Sequence, residues 1–137
     1  MRIAALLVAV AFVSACHSAQ HPRLATTAAS NPAVQADRDG LTTMRMVLSA
    51  QASRAKGMPF NSLSDVLKGL PTLQSGSSAI DAETAALNGG CRLRLTLSED
   101  RQHFQASLTP EKGCGTSWFG SDQNLIYVGR PLGCPTN

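Results

Sequence analysis

Cys91, Cys114, Cys134 and His103 are the reactive side chains of residues 37–137, and Cys16 stands apart near the N-terminus. In an oxidising compartment three cysteines give one disulfide and leave one thiol over. Three single-bond pairings are open. Cys91–Cys114 is within reach if the strands argued below pair as their faces require. Cys114–Cys134 would staple the C-terminal segment across the last strand, and it is the favoured pairing. Three cysteines with His103 would make a zinc ligand set only by number. Their spacing matches no familiar ligand pattern, so no metal is expected. His17 and His21 read as solvated histidines for the same reason. Catalysis finds little support. No G-x-S-x-G elbow, G-x-G-x-x-G or P-loop pattern is present. Glu99, Asp100 and Glu111 are acids of turns and loops. A hydrolase would have to use His103 with Glu99 or Asp100. Gly113-Cys114-Gly115 reads as a turn at a disulfide rather than a nucleophile site. The chain is expected to be non-enzymatic and to need no cofactor.

The N-terminal sixteen residues read MRIAALLVAVAFVSAC. One Arg precedes an apolar run from Ile3 to Val13. That run suits a secretion signal and is too short for a stable membrane span. Val13-Ser14-Ala15-Cys16 resembles the lipobox of bacterial lipoproteins. The resemblance implies a signal peptide over residues 1–15, a diacylglyceryl thioether on Cys16, and cleavage just before that residue. The mature chain would then hold to a membrane through acyl chains such as palmitate, two or three of which anchor firmly. His17 rather than Asp after the Cys implies, by likeness to enterobacterial sorting, the outer membrane, with the domain facing the periplasm or the cell surface. An ordinary secretory signal cut after Ala15 is the alternative.

The whole chain carries 12 basic and 9 acidic side chains, a net charge of +3. That is too weak to argue for nucleic acid. Its 137 residues leave room for one small domain. Residues 16–36 are rich in Ala, Ser and Thr and read as the lipidated Cys followed by a flexible tether, roughly 65 Å at full extension. Residues 37–137 are the domain.

From Asp37 the pattern changes. Leu41, Met44, Leu48 and Ala52 recur at helical spacing, with Val47 widening the stripe and Gln51 mainly off it. This predicts an amphipathic helix from Asp39 to Lys56, closed by Gly57. Ser62 with Asp65 predicts the N-terminus of a short second helix that ends at Gly69-Leu70-Pro71. Residues 80–87 fit either a helical turn or irregular chain, and Asn88-Gly89-Gly90 a turn. Residues 92–97 and 103–108 alternate strictly. Antiparallel pairing with matched faces sets Leu97 opposite Phe104, Leu95 opposite Ala106 and Leu93 opposite Leu108. Trp118-Phe119 and residues 125–128 read as further strands joined by a polar turn. Helix first and meander second give an α+β domain, the helix packed on a small antiparallel sheet.

The order of elements and the wording of the chain between Asp39 and Tyr127 resemble the globular part of type IV pilin-like proteins. The segments are Leu48-Ser49-Ala50-Gln51, Phe60-Asn61-Ser62-Leu63, the hairpin strand from His103 to Pro110, and the run from Ser117 to Ile126. Pilins carry a cleavage motif and a long apolar helix where this chain has a lipobox and a tether. The resemblance therefore implies a pilin-like head on a lipid anchor, without fibre assembly through that helix. It implies a non-catalytic interaction or assembly module of the envelope, linked to a pilus or secretion apparatus and binding an envelope protein. Trp118, Phe119, Tyr127 and Arg130 are the candidate partner-binding residues, since aromatics and Arg are common anchors, and the alternative is that the aromatics belong to the core. The alternative is an inhibitor or immunity lipoprotein that blocks a wall-degrading enzyme through the loop from Glu111 to Ser117.

Overall fold

The computed structural model describes residues 32–134. The expected signal segment, Cys16 and residues 17–31 of the expected tether lie outside them. The domain is α+β: helices α1 (Pro32–Ala52), α2 (Leu63–Gly69) and α3 (Pro71–Gln74) precede a six-stranded sheet. Its strands are β1 (Ser77–Ala79), β2 (Thr84–Leu87), β3 (Cys91–Leu97), β4 (Phe104–Pro110), β5 (Ser117–Ser121) and β6 (Ile126–Gly129). Each strand pairs antiparallel with the next, giving an unbroken meander in the order β1 to β6.

Helix α1 begins seven residues before the expected Asp39 and takes in positions 32–36 of the expected tether. Pro32 opens it, where a fixed φ and a missing N–H cost nothing. It ends at Ala52, short of Lys56. Gly57, at φ +85°, instead serves a tight turn in which Met58 N–H donates to Ala55 C=O at 3.0 Å. The buried stripe is also rotated from the expected one. Gly40, Thr43, Met44, Val47, Leu48 and Gln51 face inward, and Ala52 is exposed.

Gln51 can be buried because both ends of its amide are used. Its Nε2 donates to Asn61 C=O at 2.8 Å, and its Oε1 accepts from Asn61 N–H at 2.9 Å. The side chain acts as an extra length of backbone and pins the 53–61 loop to the helix. Arg101, held at φ +54°, donates from Nε and Nη2 to Phe60 C=O and accepts from Phe60 N–H. The Phe60 ring meets Phe104 edge-on at 4.7 Å, with the Arg54 guanidinium 3.8 Å over its centre. The loop between α1 and α2 is thus tied to the β3–β4 hairpin.

Helix α2 starts as its capping pattern requires. Asp65 N–H donates to Ser62 Oγ, and that hydroxyl donates to the Asp65 carboxylate at 2.6 Å. Pro71, expected to end a helix, opens the single turn α3. Residues 80–87, expected as a helical turn or irregular chain, supply β2 and with Ser77–Ala79 form the β1–β2 hairpin. The β3–β4 register is the one that face-matching required: Leu97 opposite Phe104, Leu95 opposite Ala106, Leu93 opposite Leu108.

Two neighbouring rows cross the sheet at right angles to its strands. Ala85, Leu93, Leu108, Trp118 and Val128 lie opposite one another in sequence from β2 to β6. This row faces the helices and is buried until its last member. Thr84, Arg94, Ser107, Phe119 and Tyr127 form the adjacent row on the opposite face. Helix α1 crosses β4 and β5, with Gly40 over the Trp118 indole and Met44 and Leu48 over Gly120.

Candidate interaction surface

Strand alternation decides which of the expected partner-binding residues can meet a partner. Trp118 is 3% exposed and belongs to the core. A Cβ placed on Gly40 would come within 2.4 Å of its ring, so the helix backbone closes directly over the indole. Trp118 is therefore unavailable to a partner. Phe119 and Tyr127 are 44% and 58% exposed, face each other across β5 and β6, and stand on the sheet face opposite α1. Arg130 is half-exposed just past β6. Its Nη2 is 3.9 Å from the Asp37 carboxylate, which joins the end of β6 to the first turns of α1.

Sequence reasoning missed the other members of this patch. Leu125, Val128 and Leu132 are also exposed. With Phe119 and Tyr127 they make five large apolar side chains around one strand. Val128 belongs to the inner row, yet it is 63% exposed, since α1 packs mainly on β4 and β5. The signal was present: Leu125-Ile126-Tyr127-Val128 is apolar on both faces, unlike β3 or β4. A continuous apolar run in the last strand of a meander calls for cover on both sides.

Cys114 and Cys134 are bonded, with Cα atoms 5.4 Å apart. The bond closes a loop around the β5–β6 hairpin and holds the chain after β6 against the loop before β5. Cys91 is fully buried at the head of β3. The spare thiol expected from the cysteine count is not found, since none of the described cysteines is free.

His103 is paired, but not to the acids beside it in sequence. Its Nδ1 lies 2.8 Å from Asp122 Oδ2 in the β5–β6 turn. Asp122 raises the imidazole pKa, first through this hydrogen bond and then through its charge, with Asp100 adding a smaller contribution. Asp100 itself accepts from Ser98 Oγ at 2.6 Å and from Gln102 N–H at 3.0 Å, and these bonds hold its carboxyl below the ordinary range. Ser98 Oγ also accepts from His103 N–H, so the hydroxyl nearest in sequence shapes the turn rather than meeting the imidazole. The pair lines a depression of about 590 Å³ with Thr96, Gln105 and Ser121. An oriented imidazole is half of a general-base arrangement, and its hydrogen bond among the described residues is to a carboxylate and not to a hydroxyl. No group of three or more His, Cys, Asp or Glu among those residues could hold a metal ion. No described helix is long and apolar enough to cross a membrane.

No family model matches the chain, and neither a curated protein nor a solved structure is found to be similar to it.

Proposed function

We propose that the protein is a lipid-anchored envelope lipoprotein whose pilin-like α+β head is a non-catalytic interaction module. The single observation that carries this is the apolar surface around β6. Phe119, Leu125, Tyr127, Val128 and Leu132 stay exposed on a domain with a well-formed core elsewhere. Patches of this kind mark contacts with other macromolecules. The sequence supplies the address: an export signal, then Cys16 at a lipobox, then a spacer leading to α1. The thioether would hold the head at the inner surface of the outer membrane or on the cell surface, within reach of a pilus or secretion apparatus.

Two experiments test the reading. Cys16→Ser should move the protein from membranes to the soluble envelope fraction, and continued membrane recovery would refute lipidation. Crosslinking in intact envelopes with mass spectrometry of the captured proteins tests the role. Secretion or pilus components, lost when Phe119 and Tyr127 are both changed to Ser, support the module. Capture that ignores those changes overturns it. One feature favours the inhibitor reading as a second. Glu111, Lys112 and Gly113 are exposed next to Cys114, in a loop held by the disulfide. A lytic enzyme recovered at a one-to-one ratio through that loop would replace assembly with inhibition.

A further inference from the structure

We infer that the free edge of β6 is a self-association site, pairing antiparallel with β6 of a second copy about a twofold axis perpendicular to the sheet. This names the partner of the surface described above and rests on the reading of that surface as an interface.

Strand β6 has β5 on one side and no strand on the other among the described residues. A strand in that position turns alternate backbone N–H and C=O groups outward. Among the described residues no backbone hydrogen bond joins the chain after β6 to that edge. The chain leaves at Gly129, opposite Ser117, and Cys134 is bonded to Cys114. The opposite edge of the sheet, β1, is three small residues, Ser77–Ala79. Natural edges are usually protected by Lys, Pro or an inward-turned charge. From Asn124 to Gly129 there is neither a charge nor a proline. The edge is instead flanked by exposed apolar side chains on both faces.

A second copy fits this edge better than an arbitrary strand for three reasons. The first is side-chain complementarity. With Tyr127 opposite its symmetry mate, Val128 of each copy lies opposite Ile126 of the other. Phe119, Tyr127, and the same two residues of the second copy then form one aromatic row across the seam. The inner row that loses its cover at Val128 continues into the inner face of the mate. The second reason is charge. The charged groups nearest the edge, Asp122 and Arg130, are paired within their own copy to His103 and Asp37, and the register sets Arg130 opposite the uncharged Asn124 of the mate, so no like charges meet. The third reason is area. The exposed parts of the five apolar side chains offer at most roughly 500 Å² per copy, on the order of 1,000 Å² for the pair, the lower limit of specific interfaces.

The test uses the full chain in living cells. Tyr127 is replaced by the photo-crosslinking analogue p-benzoylphenylalanine, with the same analogue at Thr96 as a control on the same sheet face. The expected result is a crosslinked species of twice the mass containing only this chain, from position 127 and not from 96. Adding Val128→Lys places two like charges across the seam and should reduce that species at least tenfold, with the monomer still at wild-type abundance and protease resistance. A twofold species of equal yield from both positions, or one that survives Val128→Lys, overturns the inference. So does crosslinking from position 127 only to a different protein, an outcome that would leave the interaction module standing with another occupant. Absence of any crosslink from position 127 in a well-folded protein overturns self-association, and the envelope capture experiment separately decides the broader reading.

Discussion

Trp118 and Phe119 are consecutive aromatic residues of β5, and they stand in different surroundings. The inner row, Ala85-Leu93-Leu108-Trp118, is apolar throughout and closed over by α1. The outer row, Thr84-Arg94-Ser107, is polar until it reaches Phe119 and Tyr127 at the β6 end. Arg94 is offset there by Glu83, 3.3 Å away, an exposed pair of little energetic weight. One face is thus packed from β2 to β5. The other is polar over three strands, with Thr84 buried and Arg94 exposed, and apolar over the last two. Even the inner row changes character at the same place, since Val128 emerges from under the helix. The contrast separates residues that stabilise the fold from residues that are apolar for another reason.

The sharpest test of that contrast compares the two aromatics directly. Trp118→Ala removes a buried ring beneath Gly40 and should cost about 3–5 kcal/mol. Phe119→Ala should cost less, about 1–2 kcal/mol, because 44% of the residue already faces water. Urea unfolding of both variants gives the answer. Similar losses would mean that the outer face is also packed, and the interface reading would lose its footing. Gly40→Ala belongs to the same comparison. It should destabilise by about 1–3 kcal/mol through overpacking against the indole, although alanine is the better helix former.

The next largest effect concerns what holds the exposed end together. Opening Cys114–Cys134 by changing both residues to Ser should cost about 3 kcal/mol, for a sequence separation of 20. The loss should concentrate in β5–β6, as earlier hydrogen exchange of that hairpin than of β3–β4. Uniform loss of protection would show that the sheet opens as one unit. The apolar margin would then be no more separable than the core.

The two halves of the sheet were also unequally legible in the sequence. The β3–β4 register follows from alternation, because one residue of slip would expose every Leu. The same logic could have settled Trp118: Leu108 points inward, so the residue opposite it must as well. What hid this was the β4–β5 connection, where Gly113 and the disulfide break the pattern. Residues 77–87 were illegible because Ser and Ala show no alternation. Their pairing is fixed instead by neighbours such as Leu93, opposite Ala85. The start of α1 was misread because a segment rich in Ala with a Pro resembles a tether by composition. Gln51 and Gly40 carry no hydrophobic signal at all. Each is buried by a tertiary partner, Asn61 for one and Trp118 for the other. Of the candidate surface, Phe119, Tyr127 and Arg130 were readable as anchors by residue type. Leu125, Val128 and Leu132 needed knowledge of where the helix stops.

The smallest expected effect lies at the β5–β6 turn, where His103 meets Asp122. The imidazole pKa is raised above its ordinary value of about 6.5 by a hydrogen bond to a carboxylate. A raised folded-state pKa means that the protonated form is the stabilising one. The contribution is complete below about pH 6.5 and fades as pH rises through the folded-state value. An NMR titration of His103 should therefore show a pKa above about 6.5 that falls toward that value in Asp122→Asn. The stability difference between wild type and Asp122→Asn should be larger at about pH 6 than at about pH 8.5. Both groups are in water's reach, so the difference should be small beside the loss of Trp118 or of the disulfide. A difference that grows with pH would reverse the sign and show that neutral imidazole holds the turn. The β5–β6 hairpin would then depend on its disulfide and its cross-strand aromatics, with no help from charge at its tip.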